Sequence, residues 1–266
     1  MKTLGWLTDI HLSFLSTDQK IAFLTNLSDQ DIDSFLITGD LGEGRDIIQI
    51  LYLLDSILDR NIFFVLGNHD YYYWGINEVR SEVVKFVSSS DHLFYLSASP
   101  FIPLTRSSVL LGHDSWADAR NGDYDNSTVF LADYSLINDF LHHRKDGVRK
   151  VMEQLAQQGV DHILKRLNTS IDRYTTFYIA THVPPSRDAC WHEGRISTDD
   201  FLPHFSSKLL GEEVVSLFSQ HPDKEAIMLC GHTHSEGTAR LAENVTVLTG
   251  KAIYGSPELQ KVFTVV

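Results

Sequence analysis

The chain has 266 residues, 43% of them hydrophobic and 21% charged, the balance of an ordinary soluble globular protein. Its 22 basic and 35 acidic side chains leave a net charge of −13, which argues against broad electrostatic binding to nucleic acid or to an anionic membrane. That argument concerns the surface, and a local metal site is still free to accept an anion.

No apolar segment approaches the roughly 20 residues needed to span a bilayer. The apolar run after Met1-Lys2-Thr3 is too short for a signal peptide before Asp9 interrupts it. Cys190 and Cys230 are far apart and have no CxxC partner, so they read as reduced, inert thiols. These features predict a cytoplasmic protein with no membrane partner.

Leu4 to Thr8 reads as a buried strand and leads into Asp9-Ile10-His11. Lys20 to Leu27 reads as a short amphipathic helix, with Ile21, Leu24 and Leu27 in step. Phe35 to Thr38 is a second strand, followed by Gly39-Asp40. Asp46 to Leu58 carries Ile47, Ile50, Leu51, Leu54 and Leu58 at helical spacing. Ile62 to Leu66 is a third strand, and Gly67-Asn68-His69-Asp70 follows at once. This alternation predicts βαβ units, whose parallel strands carry ligand groups on the loops at their carboxyl ends.

Glu78 to Val87 is read as a helix, and Leu93–Leu96 and Ser108–Leu111 as short strands. Residues 115–175 break the rhythm. They include a polar, turn-rich stretch from Asp118 to Asn126 and a long amphipathic helix marked by Val148, Met152, Leu155, Ile163 and Leu167. We expect a helical insertion over one end of the sheet. Strands resume at Phe177–Ala180, Ala226–Cys230, Val245–Leu248 and Lys261–Val265, so residues 1–266 are read as one domain. Residues 184–211 are loop-rich and lie between two ligand-bearing strand ends, where a substrate-facing loop belongs.

Each of five short apolar runs thus ends in His, Asp or Asn: Asp9, His11, Asp40, Asn68, His69, His182, His232 and His234. Imidazole and carboxylate without thiolate suit Zn, Mn, Fe or similar divalent ions. Asp9-x-His11 and His232-x-His234 each place two ligand-type side chains where they can converge. Seven ligands exceed the three or four of one open catalytic site, whereas two ions sharing a carboxylate use seven.

These residues resemble the calcineurin-like metallophosphoesterase family, whose pattern runs DxH, GDxx, GNHD or GNHE, H and GHxH. Here it reads Asp9-Ile10-His11, Gly39-Asp40-Leu41-Gly42, Gly67-Asn68-His69-Asp70, His182 and Gly231-His232-Thr233-His234, in order. The resemblance implies an α/β fold of two packed β-sheets flanked by helices, a four-layer αββα sandwich with a two-metal centre at one edge. It implies that Asp9, His11 and His234 hold one ion, that Asn68, His182 and His232 hold the other, and that Asp40 bridges them. It further implies that His69 is the proton donor and phosphate contact, with Asp70 orienting His69 through a hydrogen bond. The cofactors expected are two divalent ions (Mn, Fe, Zn or Ni), with Mn active in vitro.

Two ions roughly 3.5–4 Å apart clamp a phosphoryl group and lower the pKa of a shared water. The function this implies is hydrolysis of a phosphate mono- or diester by a metal-bridging hydroxide, with a histidine protonating the leaving alkoxide. The substrate is then a phosphorylated small molecule or other phosphoester. Two rival readings remain: a non-catalytic interaction protein on the same fold, and a nuclease, against which the acidic balance weighs.

Other residues have open readings. His113-Asp114 either lines the cleft or forms a simple turn. Tyr71-Tyr72-Tyr73-Trp74 either walls the pocket or packs in the core. Arg45, Arg120, Arg187 and Arg195 either pair with a substrate phosphate or sit on the surface. His142, His143 and His192 fall outside the pattern and are read as surface residues. Gly67 is expected where the backbone turns sharply beside the metals.

Overall fold

The alternation of side chains along the first strands sets up two interfaces at once. In a computed structural model, which describes residues 2–266, β1 (Lys2–Leu7), β2 (Ser34–Thr38) and β3 (Asn61–Val65) run parallel side by side. Phe35, Ile37, Ile62 and Phe64 face an outer helical layer, while Leu4, Trp6, Leu36, Phe63 and Val65 face a second sheet. A strand with both faces covered has no polar face, so these strands read as near-continuous apolar runs. The helical layer is α1 (Thr17–Ser28), α2 (Ile47–Leu58) and α3 (Ile76–Val87). α1 begins three residues before the expected Lys20 because Ser16 and Gln19 form a capping box.

β4 (Leu93–Tyr95) is parallel to β3 and closes one side of the first sheet. Two residues of β5 (Ile102–Pro103) then pair antiparallel with β6 (Ser108–Gly112), which belongs to the second sheet. A short helix α4 (Asp133–Leu136) and the long α5 (Lys145–Ser170) lead to β7 (Thr176–Ala180), parallel to β6. The helical segment expected around 115–175 therefore serves as the crossover between two neighbouring parallel strands. Val148, Met152 and Leu155 of α5 pack into the first outer core, and Val160, Ile163 and Leu167 into the second.

A hairpin of β8 (Trp191–His192) and β9 (Arg195–Ile196) precedes α6 (Leu202–Phe205) and α7 (Lys208–Ser219). α7 was not foreseen; its buried Leu210, Val214 and Phe218 cover the second sheet beside α5. β10 (Glu225–Cys230), β11 (Gly237–Ala242), β12 (Val245–Thr249) and β13 (Lys261–Val265) complete the strands. The first sheet has the order β13-β1-β2-β3-β4 and the second β11-β12-β10-β7-β6-β5. Two sheets face each other with helices outside, and the carboxyl ends of β1, β2, β3, β7 and β10 meet at one edge. No helix among the described residues is long and apolar enough to cross a membrane.

One buried carboxylate ties that edge together. Asp114, just past β6, is 1% exposed. Its Oδ1 accepts from the Leu66 backbone N–H at 2.8 Å and the Ser97 hydroxyl at 2.7 Å. Its Oδ2 accepts from the hydroxyls of Tyr71 at 2.6 Å and Tyr95 at 2.5 Å, and from Arg80 Nε at 3.1 Å. So His113-Asp114 is neither a cleft wall nor a simple turn: Asp114 anchors the loop after β3 to the second sheet. Burial disfavours the ionised carboxylate, but Arg80 and the surrounding donors outweigh it and hold Asp114 near 2, below the ordinary 3.8. The lowered pKa means that its stabilisation is present above about pH 4 and fades as pH falls towards 2. Asp114→Ala leaves Arg80 and two phenols buried without their acceptor. It should lower unfolding free energy by about 3–5 kcal/mol in denaturant titrations. A loss under 1 kcal/mol would contradict this account.

Candidate metal centre

The backbone at the sheet edge adopts a conformation that side chains other than glycine rarely take. Asp9, His11, Asp40, His232 and His234 have φ of 47°, 41°, 50°, 70° and 57°, in the left-handed region. Each costs of order 1–3 kcal/mol and persists only where the surroundings enforce it. The enforcement is visible. Asp9 N–H donates to Gly39 O at 3.0 Å, His11 N–H to Asp40 O at 2.9 Å and Gly231 N–H to His182 O at 2.9 Å. The loops therefore stay paired beyond the strand ends while their side chains turn inward.

Close approach explains two motif glycines. A Cβ on Gly67 would strike Asp40 Oδ1 and lie 2.5 Å from the Asp40 backbone nitrogen and 2.7 Å from His182 Cε1. One on Gly231 would strike Asp9 Oδ2 and Thr8 Oγ1. At Gly67 the requirement is for space and not, as expected, for a turn only glycine can make, because its φ lies outside the left-handed region.

One ligand atom from each of Asp9, His11, Asp40 and His234 lies within 4.8 Å of the others. His11 Nε2 and His234 Nε2 face each other at 3.1 Å, His234 Nε2 is 3.4 Å from Asp9 Oδ1, and His11 Nε2 is 3.6 Å from Asp40 Oδ2. Both carboxylates are buried, and among the described residues their ion-pair contacts are to histidines and to no Lys or Arg. Two facing carboxylates and two facing imidazole nitrogens fit a divalent cation between them.

A second group adjoins the first through Asp40. Its Oδ1 is 3.5 Å from His182 Nε2. Asn68 Oδ1 lies 2.9 Å from His182 Nε2 and 2.9 Å from His232 Nδ1. His182 Nδ1 donates to Thr38 O at 2.9 Å, which leaves Nε2 for the centre. Asn68 is held by its amide, which donates to Asp133 Oδ1 at 2.9 Å, the same oxygen that accepts from the Tyr72 hydroxyl at 2.9 Å. The Asn68 carbonyl thus points at the two imidazoles. Asp133 comes from α4, so the segment between β6 and β7 contributes directly to the site.

The electrostatics match a cation-binding cleft. Burial disfavours a charged His182, but Asp40 and the Thr38 carbonyl outweigh it and push its pKa up to about 10, so the carboxylates draw positive charge to Nε2, and a divalent ion bound there would displace that proton. Burial lowers His11 to about 4 and His232 to about 3, so both imidazoles are neutral with a lone pair to offer. Despite burial, the histidines around them hold Asp9 and Asp40 below the ordinary carboxylate value. The residues present therefore fit two divalent ions with Asp40 between them.

His69 lies beside this pair. Its backbone N–H donates to Asp40 Oδ1 at 2.9 Å, and its ring packs on Tyr72 with centroids 4.4 Å apart. Its Nδ1 faces Glu43 Oε1 at 3.4 Å and its Nε2 faces the Tyr254 hydroxyl at 3.5 Å. The expected contact from Asp70 is absent. Asp70 is 0% exposed and accepts from the backbone N–H groups of Gly67 at 2.9 Å, Gly42 at 2.9 Å and Leu41 at 3.3 Å. It clamps the β2 loop to the β3 loop and leaves His69 to Glu43. Burial and the Asp40 charge raise Asp70 to about 8, against the pull of those donors.

Tyr72 and Tyr254 line the open cleft with His69, Phe205, His192 and Leu131. Tyr71 and Tyr72 are buried and Tyr73 is exposed, so the aromatic run divides between core and cleft wall. His192, expected on the surface, lines the cleft and packs on Phe201 and Phe205 with centroids 5.5 and 5.2 Å apart. His142 and His143 are exposed. Arg45, Arg120, Arg187 and Arg195 are exposed and do not line the cleft; Arg187 pairs with Asp199 at 2.8 Å. Cys190 and Cys230 are buried, and burial pushes both thiols up to about 12. Sequence reasoning missed Glu43, Asp133 and Tyr254. The first lies three residues past Asp40, Asp133 opens the short α4 and Tyr254 sits in a loop, and neither of the last two has a pattern of its own.

Solved structures share this architecture. A phosphopantetheinyl hydrolase from Mycobacterium tuberculosis superposes with a TM-score of 0.69 at 15% identity, over 94% of this chain and 90% of that one. A dimetal phosphatase from Danio rerio matches with a TM-score of 0.60 at 13% identity, over 96% of this chain and 89% of that one. GAP50, the anchor in the inner membrane complex of Plasmodium, matches with a TM-score of 0.52 at 10% identity, over 94% and 71%. No curated protein matches the sequence. The sequence profile of the calcineurin-like phosphoesterase family matches residues 2–236, nearly the whole chain. Asp9, His11, Asp40 and His234 converge here within the matched range, and the chain belongs to the calcineurin-like phosphoesterase family.

Proposed function

We propose that the protein is a metal-dependent phosphoesterase that hydrolyses a phosphate mono- or diester. The observation that carries this reading is the position of Asp40, whose two oxygens lie 3.6 Å from His11 Nε2 and 3.5 Å from His182 Nε2. One carboxylate thereby serves two adjoining ligand groups. Asp9, His11 and His234 complete one of them, and Asn68, His182 and His232 the other. Two divalent ions held there supply positive charge for a phosphoryl group and a water that ionises near neutral pH.

The protein's own residues do the rest. The Thr38 carbonyl, Asp133 and the backbone donors to Asp9 and Asp70 fix the ligands before substrate arrives. His69 stands at the open side of the cleft, with Nδ1 towards Glu43 and Nε2 towards solvent and Tyr254. Glu43 accepts from Nδ1–H, so a proton on Nε2 as well makes His69 an imidazolium, placed to protonate a leaving alkoxide from Nε2. This assigns the positioning role to Glu43 in place of Asp70.

The likeness to GAP50 favours a second reading, a non-catalytic platform, because that neighbour is described as an anchor. The complete ligand set here weighs against it. A nuclease is disfavoured by the net charge of −13 and by a cleft lined by no Lys or Arg.

Protein supplemented with Mn should hydrolyse p-nitrophenyl phosphate or bis-(p-nitrophenyl) phosphate and lose that activity in EDTA. Cleavage of neither ester with two ions bound would sink the phosphoesterase reading. Asp40→Ala should reduce the metal content of the purified protein from two ions per chain, measured by elemental analysis; retention of both would remove Asp40 from the bridging role. His69→Ala should lower kcat by about 10²–10⁴ while both ions stay bound. Loss of the ions in that variant would show that His69 holds the centre together and does not serve it as proton donor.

A further inference from the structure

The cleft has a donor that no family motif assigns. Tyr254 sits on the loop between β12 and β13, 47% exposed, over the first ligand group. Its ring centroid is 4.5 Å from that of His11 and 5.0 Å from that of His234. The loop is pinned at both stems. Gly250 N–H donates to Cys230 O at 2.9 Å and Ala252 N–H to His234 O at 3.3 Å. Gln260 N–H donates to Trp6 O at 2.8 Å, and Gln260 Oε1 accepts from Lys251 N–H at 2.9 Å. None of these contacts uses the phenol hydroxyl.

That hydroxyl has one polar neighbour among the described residues, His69 Nε2 at 3.5 Å. The separation is too long for a good hydrogen bond between them. It is the right span for two donors that share a third atom: an oxygen about 2.8 Å from each fits between them. The cleft, about 270 Å³, is lined by Tyr72, Phe205, His192 and Tyr254 among others, and by no Lys or Arg. A phosphoryl oxygen that turns away from the ligand groups therefore finds no guanidinium and no ammonium. The donors that face each other at that side are the Tyr254 hydroxyl and His69.

We propose that Tyr254 binds the substrate phosphate, its hydroxyl donating to the phosphoryl oxygen that His69 Nε2 also contacts. The proposal rests on the phosphoesterase reading and adds a residue and a consequence to it. Tyr254 adds a neutral donor to a cleft lined by no Lys or Arg, so the cleft suits an ester with a single phosphate. A second phosphate on the substrate would meet aromatic walls and no counter-charge. Tyr72 and Phe205 suit an apolar or aromatic alcohol as the leaving group.

The test uses the full chain loaded with Mn and two readouts, calorimetric titration with inorganic phosphate and turnover of p-nitrophenyl phosphate. Tyr254→Phe keeps the ring on His11 and removes only the hydroxyl. Phosphate should bind about tenfold more weakly, and KM should rise by a similar factor, with metal content unchanged by elemental analysis. Wild-type phosphate affinity in Tyr254→Phe overturns the proposal. So does loss of metal, because the tyrosine would then be a support for the ligands. If the wild type binds phosphate and cleaves no ester while Tyr254→Phe weakens phosphate, the tyrosine assignment stands and the esterase reading falls. If the wild type neither binds phosphate nor turns over, both fall.

Discussion

Asp9 and Asp40 are buried carboxylates at the meeting edge of two sheets, and no lysine or arginine compensates them. A buried carboxylate is costly unless positive charge sits beside it, and here the histidines or a bound cation must supply that charge. Here the surroundings are four imidazoles and an amide carbonyl, groups that coordinate divalent ions. The three polar networks around the site have the same purpose. Thr38 O sets the tautomer of His182, Asp133 sets the face of Asn68, and Asp70 clamps the two loops that carry Asp40 and Asn68. The first two orient a side chain towards the centre, and the third holds together the loops that carry Asp40 and Asn68.

The backbone accepts strain to achieve this. Five ligand-type residues lie in the left-handed region, and Gly67 and Gly231 leave room where a Cβ would collide with Asp40 and Asp9. Three apolar layers hold the arrangement: the core between the sheets and one core under each helical layer. Burying an aliphatic or phenyl side chain contributes roughly 1.5–3 kcal/mol, so a few such residues in each layer offset the local strain. α5 packs into both outer cores, which couples the two halves of the ligand set through one rigid element.

Much of this was legible before any coordinates. The apolar runs marked the strands at Leu4, Phe35, Ile62, Phe177 and Ala226, because strands covered on both faces leave a periodicity-free apolar signature, while those at Val245 and Lys261 alternate between buried and more exposed side chains. The ligand-type residues stood out because they recur at the ends of those runs. What was misread depended on contacts distant in sequence. Asp70 adjoins His69 in the chain yet hydrogen-bonds the β2 loop, because the turn after β3 points it inward. His192 looked like surface but packs on Phe201 and Phe205 beside the cleft. The segment around 115–175 looked like an insertion; it carries Asp133 to Asn68 and then crosses from β6 to β7.

By itself the sequence determined the family, the strand–helix rhythm and the list of residues able to bind a cation, since each is a property of residue type and local spacing. The tertiary structure alone decided which of those groups face one another. It brought Asp40 to 3.6 Å from His11 and 3.5 Å from His182, set His69 facing Glu43 and not Asp70, and brought Tyr254 from the far end of the chain over His11. The physical reason is one of scale. Hydrogen bonds and ion coordination act over about 3–4 Å, and pairs such as Asp9 with His232 or His69 with Tyr254 come within that range only when the two sheets pack.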